Sequence, residues 1–210
     1  MGQCVVKLNN HILMNTLPFS TYLTTNAGIE PDIVKNIISI QKKLHVEKGE
    51  FLLKEGEICK RSFYVEKGLL RYYSIDEKGK EHIIQFAPEG WFVGDRESMF
   101  FNRPSQFFIQ SLEDSDVVMI DDDLICELSK ADETFAVFNN NLLHNHIRQL
   151  QHRINMLLSA TAEERYLDFI KTYPDILLRV PQTMVASYLG ITPESLSRIR
   201  KDLAAKNFKG

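Results

Sequence analysis

Five apolar residues, Leu143, Ile147, Leu150, Ile154 and Leu157, recur at spacings of four, three, four and three. That period defines one continuous helix, expected from Ala131 to Ser159, and draws a narrow seam along it. A helix that packs only on its own domain needs a broader stripe and fewer turns. A strict heptad seam is best covered by a helix of the same register, most simply that of a second copy. Extended backwards, the seam reaches Asn140 and Ala136. A polar Asn140 there costs stability and fixes register. Phe135 and Phe138 are read as packing on the chain's own upstream domain.

Upstream of the helix the texture differs. Glu30 to Ile40 carries Ile33, Val34, Ile37 and Ile38 on one helical face. From Leu44 to Ile120 short apolar runs alternate with glycine-marked turns. The runs are Glu50–Leu53, Ser62–Val65, Leu69–Ile75, Glu81–Phe86, Phe107–Leu112 and Val117–Ile120. Short strands at this regular spacing predict an antiparallel barrel or sandwich. The clearest hairpin folds about Asp76-Glu77-Lys78-Gly79-Lys80. Asp121-Asp122-Asp123 lacks the alternating spacing of a calcium loop and is read as a strand-to-helix cap. Strands followed by helices make the fold α+β.

Bulk properties exclude several classes. No apolar run approaches the roughly eighteen residues that cross a bilayer, and no signal peptide opens the chain, so a cytoplasmic protein without a membrane partner is expected. Met1-Gly2-Gln3-Cys4 is not a lipidation signal, because position 6 is Val6. Cys4, Cys59 and Cys126 are an odd count without close spacing, which argues against a disulfide framework, a zinc site or an Fe–S cluster. No metal site is expected. The one His-x-His, His144-Asn145-His146, falls in the long helix, where the two rings diverge. No catalytic triad or phosphate loop is present, so the chain is not read as an enzyme.

Charge is polarised. The chain carries a net −3, yet Leu196 to Gly210 contains Arg198, Arg200, Lys201, Lys206 and Lys209 against Asp202 alone. Just before this, Thr161-Ala162-Glu163-Glu164 reads as a capping box that starts a new helix and a new domain.

The strongest local pattern runs from Gln182 to Lys201. Ala186 is small where two helices must cross closely, and Gly190 supplies the positive φ of a tight turn. Val185, Leu189, Ile191, Leu196 and Ile199 clamp the pair. Position by position this resembles the helix-turn-helix signature. Pro181 and Pro193 are each expected at the first position of a helix, with Thr192 as N-cap before the second. On that second helix Leu196, Ile199 and Leu203 share one face, while Glu194, Ser197, Arg198 and Lys201 share the other. Arg198 suits guanine and Glu194 suits cytosine N4 in a major groove. Thr192, Ser195 and Arg200 lie to the side, where phosphates run.

Taken together, the chain resembles the Crp–Fnr (cyclic-AMP receptor protein/Fnr) family over nearly its whole length. The resemblance rests on Gly49-x-x-Leu52-Leu53-x-x-Gly56, Tyr64-Val65-x-x-Gly68-Leu69-Leu70-Arg71, Gly90-x-Phe92-x-Gly94, the long helix, and Val180-Pro181 to Leu203. It implies a β-roll (jelly-roll, cyclic-nucleotide-binding-like) sensor domain over 1–130, a dimerisation helix over 131–159 and a DNA-binding domain over 160–210. Glu194 and Arg198 match family positions that contact bases. The implied function is a homodimeric transcription regulator on an inverted-repeat operator, with RNA polymerase as a further partner. The alternative is a small-molecule sensor module without DNA binding.

Three departures matter. The family's phosphate-binding cassette carries Gly-Glu and then Arg-Ser or Arg-Thr; here Gly94-Asp95 and Arg103-Pro104-Ser105 stand instead. Asp is a methylene shorter, and Pro104 has no N–H to give. The cassette is therefore degenerate, the effector is cyclic AMP or another small molecule, and the expected pocket residues are Gly94, Asp95, Arg96, Ser98, Arg103 and Ser105. The family's Fe–S branch needs a cysteine cluster, so none is expected; a haem branch would have only His45 or His82. Finally, the family's helix-turn-helix usually continues into a β-hairpin wing, whereas this sequence stops at Lys206-Asn207-Phe208-Lys209-Gly210, so either the wing is absent or the sequence is cut before it.

Overall fold

A computed structural model describes residues 18–38 and 41–207, with backbone alone at 36–38 and at 207. The described chain divides into two compact units: residues up to Tyr72 with Phe86–Asn140, and Tyr73–Gln85 with residues from Asn141 onward.

The first unit opens with α1 (Phe19–Tyr22), a π-helical turn (Leu23–Ala27) and α2 (Pro31–Ile38). Val34 of the expected apolar face is buried; the side chains of Ile37 and Ile38 lie outside the described residues. Eight strands follow: β1 (Lys42–Val46), β2 (Phe51–Leu53), β3 (Ser62–Lys67), β4 (Leu70–Ile75), β5 (Glu81–Ala87), β6 (Phe92–Val93), β7 (Phe108–Ser111) and β8 (Ser115–Ile120). They form two four-stranded sheets, ordered β1-β8-β3-β6 and β2-β7-β4-β5. β1 and β6 were not expected. β1 has only Leu44 and Val46 as apolar residues, an alternation too short to mark a strand, and β6 has only two residues.

β3 is buried at every residue but Lys67 because both its faces are covered. Phe63 and Val65 pack with Leu53, Leu70, Ile109 and Val117 between the sheets. Tyr64 and Val118 face outward, against Phe19, Leu23, Val34, Leu124, Leu128 and Phe135. Each such buried side chain contributes about 1.5–3 kcal/mol. Phe135 is buried and Phe138 packs beside it, as expected of the start of the long helix.

Helix α3 (Arg96–Phe101) separates β6 from β7, and α4 (Asp122–Ala131) follows β8. Asp121 caps α4 by accepting from the Leu124 N–H at 3.0 Å. The long helix α5 is Glu133–Ser159, not Ala131–Ser159. Asp132 leaves helical geometry and breaks the run, and its carboxylate takes the Thr134 N–H at 2.8 Å.

The second unit continues through α6 (Ala162–Thr172), α7 (Ile176–Arg179), α8 (Gln182–Leu189) and α9 (Pro193–Asn207). The expected capping box starts α6: Thr161 Oγ1 accepts from the Glu164 N–H at 3.2 Å, and Glu164 accepts from the Thr161 N–H at 2.8 Å. Among the described residues no strand follows α9, and no helix is long and apolar enough to cross a membrane. Residues 208–210 of the expected missing wing lie outside the described residues.

Candidate nucleic-acid interface

Helices α8 and α9 meet at Gly190. Its φ of +66° is left-handed, which a side chain rarely adopts. The Ile191 N–H reaches back to the Ala186 carbonyl at 3.0 Å, and the Gly190 N–H reaches the Ser187 carbonyl at 3.1 Å, so the helix end is satisfied. Val185, Ala186, Leu189 and Leu196 are buried at the crossing, and Ile191, Ile199 and Leu203 are half-buried beside them. Pro193 is the first residue of α9, as expected; Pro181 is the N-cap of α8 and not its first residue. Thr192 caps α9 through Oγ1, which accepts from the Ser195 N–H at 3.2 Å.

This core turns the other face of α9 outward. Glu194, Ser197, Arg198 and Lys201 are exposed, as are Thr192 and Arg200, and Ser195 is half-exposed. Ser197, Arg200 and Lys201 join Gln182 around a shallow polar hollow of about 330 Å³. Gln182 was not among the expected contacts. It lies eleven or more residues before α9 in sequence, and only the helix crossing brings it there. The Glu194 carboxyl is held below the usual carboxylate range by its own backbone N–H and by the Thr192 hydroxyl.

The α8–α9 pair is braced within its unit. Ser187 Oγ donates to the Glu81 carbonyl at 2.7 Å and accepts from the Ile83 N–H at 3.1 Å. Residues 81 and 83 belong to the outer part of the β4–β5 hairpin. The hairpin turn is itself closed by Asp76, whose carboxylate takes the N–H groups of Lys78 and Lys80 and pairs with His82 at 2.8 Å. His45 likewise holds a carboxylate, that of Asp116, at 2.7 Å.

Of the seam residues, Ile147, Leu150, Ile154 and Leu157 are 49%, 39%, 56% and 40% exposed on the single chain, while Leu143 is half-buried. Leu157 also serves the hairpin of helices: a Cβ at Gly190 would sit 3.4 Å from its Cδ2.

The degenerate cassette is a hydrogen-bonded cluster. A Cβ on Gly94 would stand 2.9 Å from Ser62 Oγ and 3.0 Å from its Cα, so only glycine lets this segment lie against β3. Asp95 caps α3, accepting from Glu97 and Ser98 N–H groups at 3.1 and 3.2 Å and from the Ser105 hydroxyl at 2.6 Å. Ser98 accepts the Cys59 N–H at 2.9 Å and donates to the Arg103 carbonyl. The structure thus brings Asp95, Ser98 and Ser105 together and buries them. Arg96 and Arg103 remain exposed, and the Arg103 guanidinium lies 5.7 Å from the Phe101 ring.

Comparison with known proteins gives a consistent picture. Residues 43–132 match the family model described as Cyclic nucleotide-binding domain. The Anaerobic regulatory protein of Pasteurella multocida (strain Pm70) is 30% identical over 181 residues, covering 81% of this chain and 65% of that protein. Electron transport regulator A of Shewanella oneidensis is 30% identical over 187 residues, covering 84% of this chain and 73% of that protein. Among solved structures, FixK2 from Bradyrhizobium japonicum aligns with a TM-score of 0.68 at 19% identity, over 80% of this chain and 86% of that one.

Proposed function

The chain belongs to the Crp–Fnr family of transcription regulators, and on that premise we propose that it is a sequence-specific DNA-binding regulator acting as a homodimer. The observation that carries this reading is the α8–Gly190–α9 pair. Its inner face is buried, and its outer face presents Glu194, Ser197, Arg198 and Lys201. Arg198 donates to a guanine edge and Glu194 accepts from a cytosine amino group; Thr192, Ser195, Arg200 and Lys201, with Gln182, meet phosphates.

The exposed seam of α5 supports pairing with the same helix of a second copy. Such a dimer places two α9 helices in successive major grooves about 34 Å apart. An inverted-repeat operator follows from the two-fold axis. In this reading the protein works in the cytoplasm and acts on RNA polymerase at the promoters it occupies.

The β unit is the sensing half, and its effector is a small molecule. The cassette residues do not fit a cyclic nucleotide. Asp95 is already engaged by two backbone N–H groups and a hydroxyl, Ser105 is tied to it, and Pro104 offers no N–H.

In vitro selection from a random duplex library tests the DNA-binding reading. An inverted repeat is the expected product. A selected site without two-fold symmetry overturns the dimer, and no enrichment leaves a sensor module alone.

A further inference from the structure

The first unit contains a second hollow, distinct from the cassette. It is a cleft of about 310 Å³ between β2, the loop at 57–61 and the inner faces of β1, β3 and β8. That size falls at the lower end of the range, about 300–1,000 Å³, of small-molecule sites. Leu44, Phe51, Leu53, Phe63 and Met119 make one side of it apolar, and Glu57, Lys60 and Arg61 make the rest polar. Leu44, Phe51 and Ile58 are left 39%, 41% and 37% exposed there. None of Gly94, Asp95, Arg96, Ser98, Arg103 or Ser105 lines it.

Arg61, half-buried, stands at this wall. Its Nη1 donates to Met119 Sδ at 2.9 Å. A thioether is a weak acceptor for a guanidinium. Among the described residues Arg61 has no carboxylate partner. Lys60 also lines the cleft, and Lys54 Nζ lies 5.2 Å from the centre of the Phe51 ring. The one acid in the wall, Glu57, is engaged by the Lys54 N–H at 2.8 Å. An apolar wall beside an under-paired guanidinium and an excess of positive charge has a specific complement. A carboxylate accepts from an arginine fork at two points, and a hydrocarbon body covers the wall.

We propose that this cleft binds a small apolar monocarboxylate, its carboxylate on Arg61 and its hydrocarbon body against Leu44, Phe51 and Phe63. The ligand displaces the Met119 contact of Arg61. Cys59 in the same wall donates its N–H to Ser98, which connects the cleft to α3. The proposal deepens the sensing half of the reading above and does not depend on DNA binding.

Calorimetric titration of the full chain with sodium octanoate, against 1-octanol, tests it. Octanoate should bind saturably, one per chain, and the alcohol at least tenfold more weakly. Arg61→Gln should weaken octanoate at least tenfold. Leu44→Glu, which adds a like charge at the wall, should do the same. Both residues are partly exposed, so neither change opens a buried hole, and far-ultraviolet circular dichroism verifies the fold. Unsaturable heat overturns the site, as does an affinity unchanged in both variants. Operator binding measured on the same preparation separates the two readings: intact DNA binding without octanoate binding overturns this inference alone.

Discussion

The guanidinium carbon of Arg153 stands 3.5 Å from the centre of the Tyr188 ring. From the same position its Nη2 donates to the Tyr188 carbonyl at 2.7 Å and to the Ile83 carbonyl at 3.2 Å. One side chain of α5 therefore holds the C-terminal end of α8 and the outer hairpin at once. Tyr188 is itself packed on Phe169 and Tyr173 at 5.2 and 5.6 Å. The long helix and the α8–α9 pair are joined through this aromatic cluster.

Removing that junction should be costly. Arg153→Ala loses a stacked cation and two charge-assisted hydrogen bonds, about 2–3 kcal/mol in all. Arg153→Lys should recover less than half of it, since an ammonium has no planar fork. Urea unfolding with an unchanged slope measures both. Equal stability of Lys and Arg at 153 would show that only charge matters there.

Arg198→Ala should cost about 1–3 kcal/mol on the preferred operator and relax specificity at one base pair per half-site. Lys201→Ala should instead weaken all sequences alike and reduce the salt slope by about one. Quantitative gel shifts on operators changed base by base distinguish them. A uniform loss for Arg198→Ala would move Arg198 to the phosphates.

Ile154→Glu places a charge on the most exposed of the seam residues, 56% exposed on the single chain. Sedimentation velocity should show a monomer, with helix content reduced only slightly. An undisturbed dimer would mean that the seam is not the interface.

Glu194 should stay ionised through the neutral range. Its folded carboxyl is held down by its own N–H and by Thr192, so the stability it adds is present above about pH 4.5 and is lost as pH falls through the folded value. Operator affinity between pH 5.5 and 8 should then show no step that Glu194→Gln removes. Such a step, seen by fluorescence anisotropy at constant salt, would mean that the Thr192 contact does not govern Glu194.

Much of this architecture was readable in order along the chain. Thr161 and Glu164 lie three residues apart, and a capping box needs nothing further. Gly190 was legible because a tight turn demands a positive φ, and the seam because its period is local. The start of α5 was misplaced by two residues because Asp132 favours a side-chain hydrogen bond over the helix, a competition that apolar periodicity does not register. β1 escapes apolar patterning because Leu44 and Val46 are its only apolar residues, and its pairing with β8 defines it as a strand.

The sequence by itself determined the capped helix α6, the Gly190 turn and the chemistry of α9, since helix period, caps and turn glycines act over a few residues. Only the tertiary structure decided which groups remain free to act. It set Ser187 on Glu81 and Ile83, more than a hundred positions away. It brought Gln182 beside Arg200 and Lys201, and it spent the Asp95 carboxylate on Ser105 and a helix cap. It also left Arg61 with a sulfur for a partner. Hydrogen-bond satisfaction depends on distant partners meeting within about 3 Å, and no local pattern specifies that.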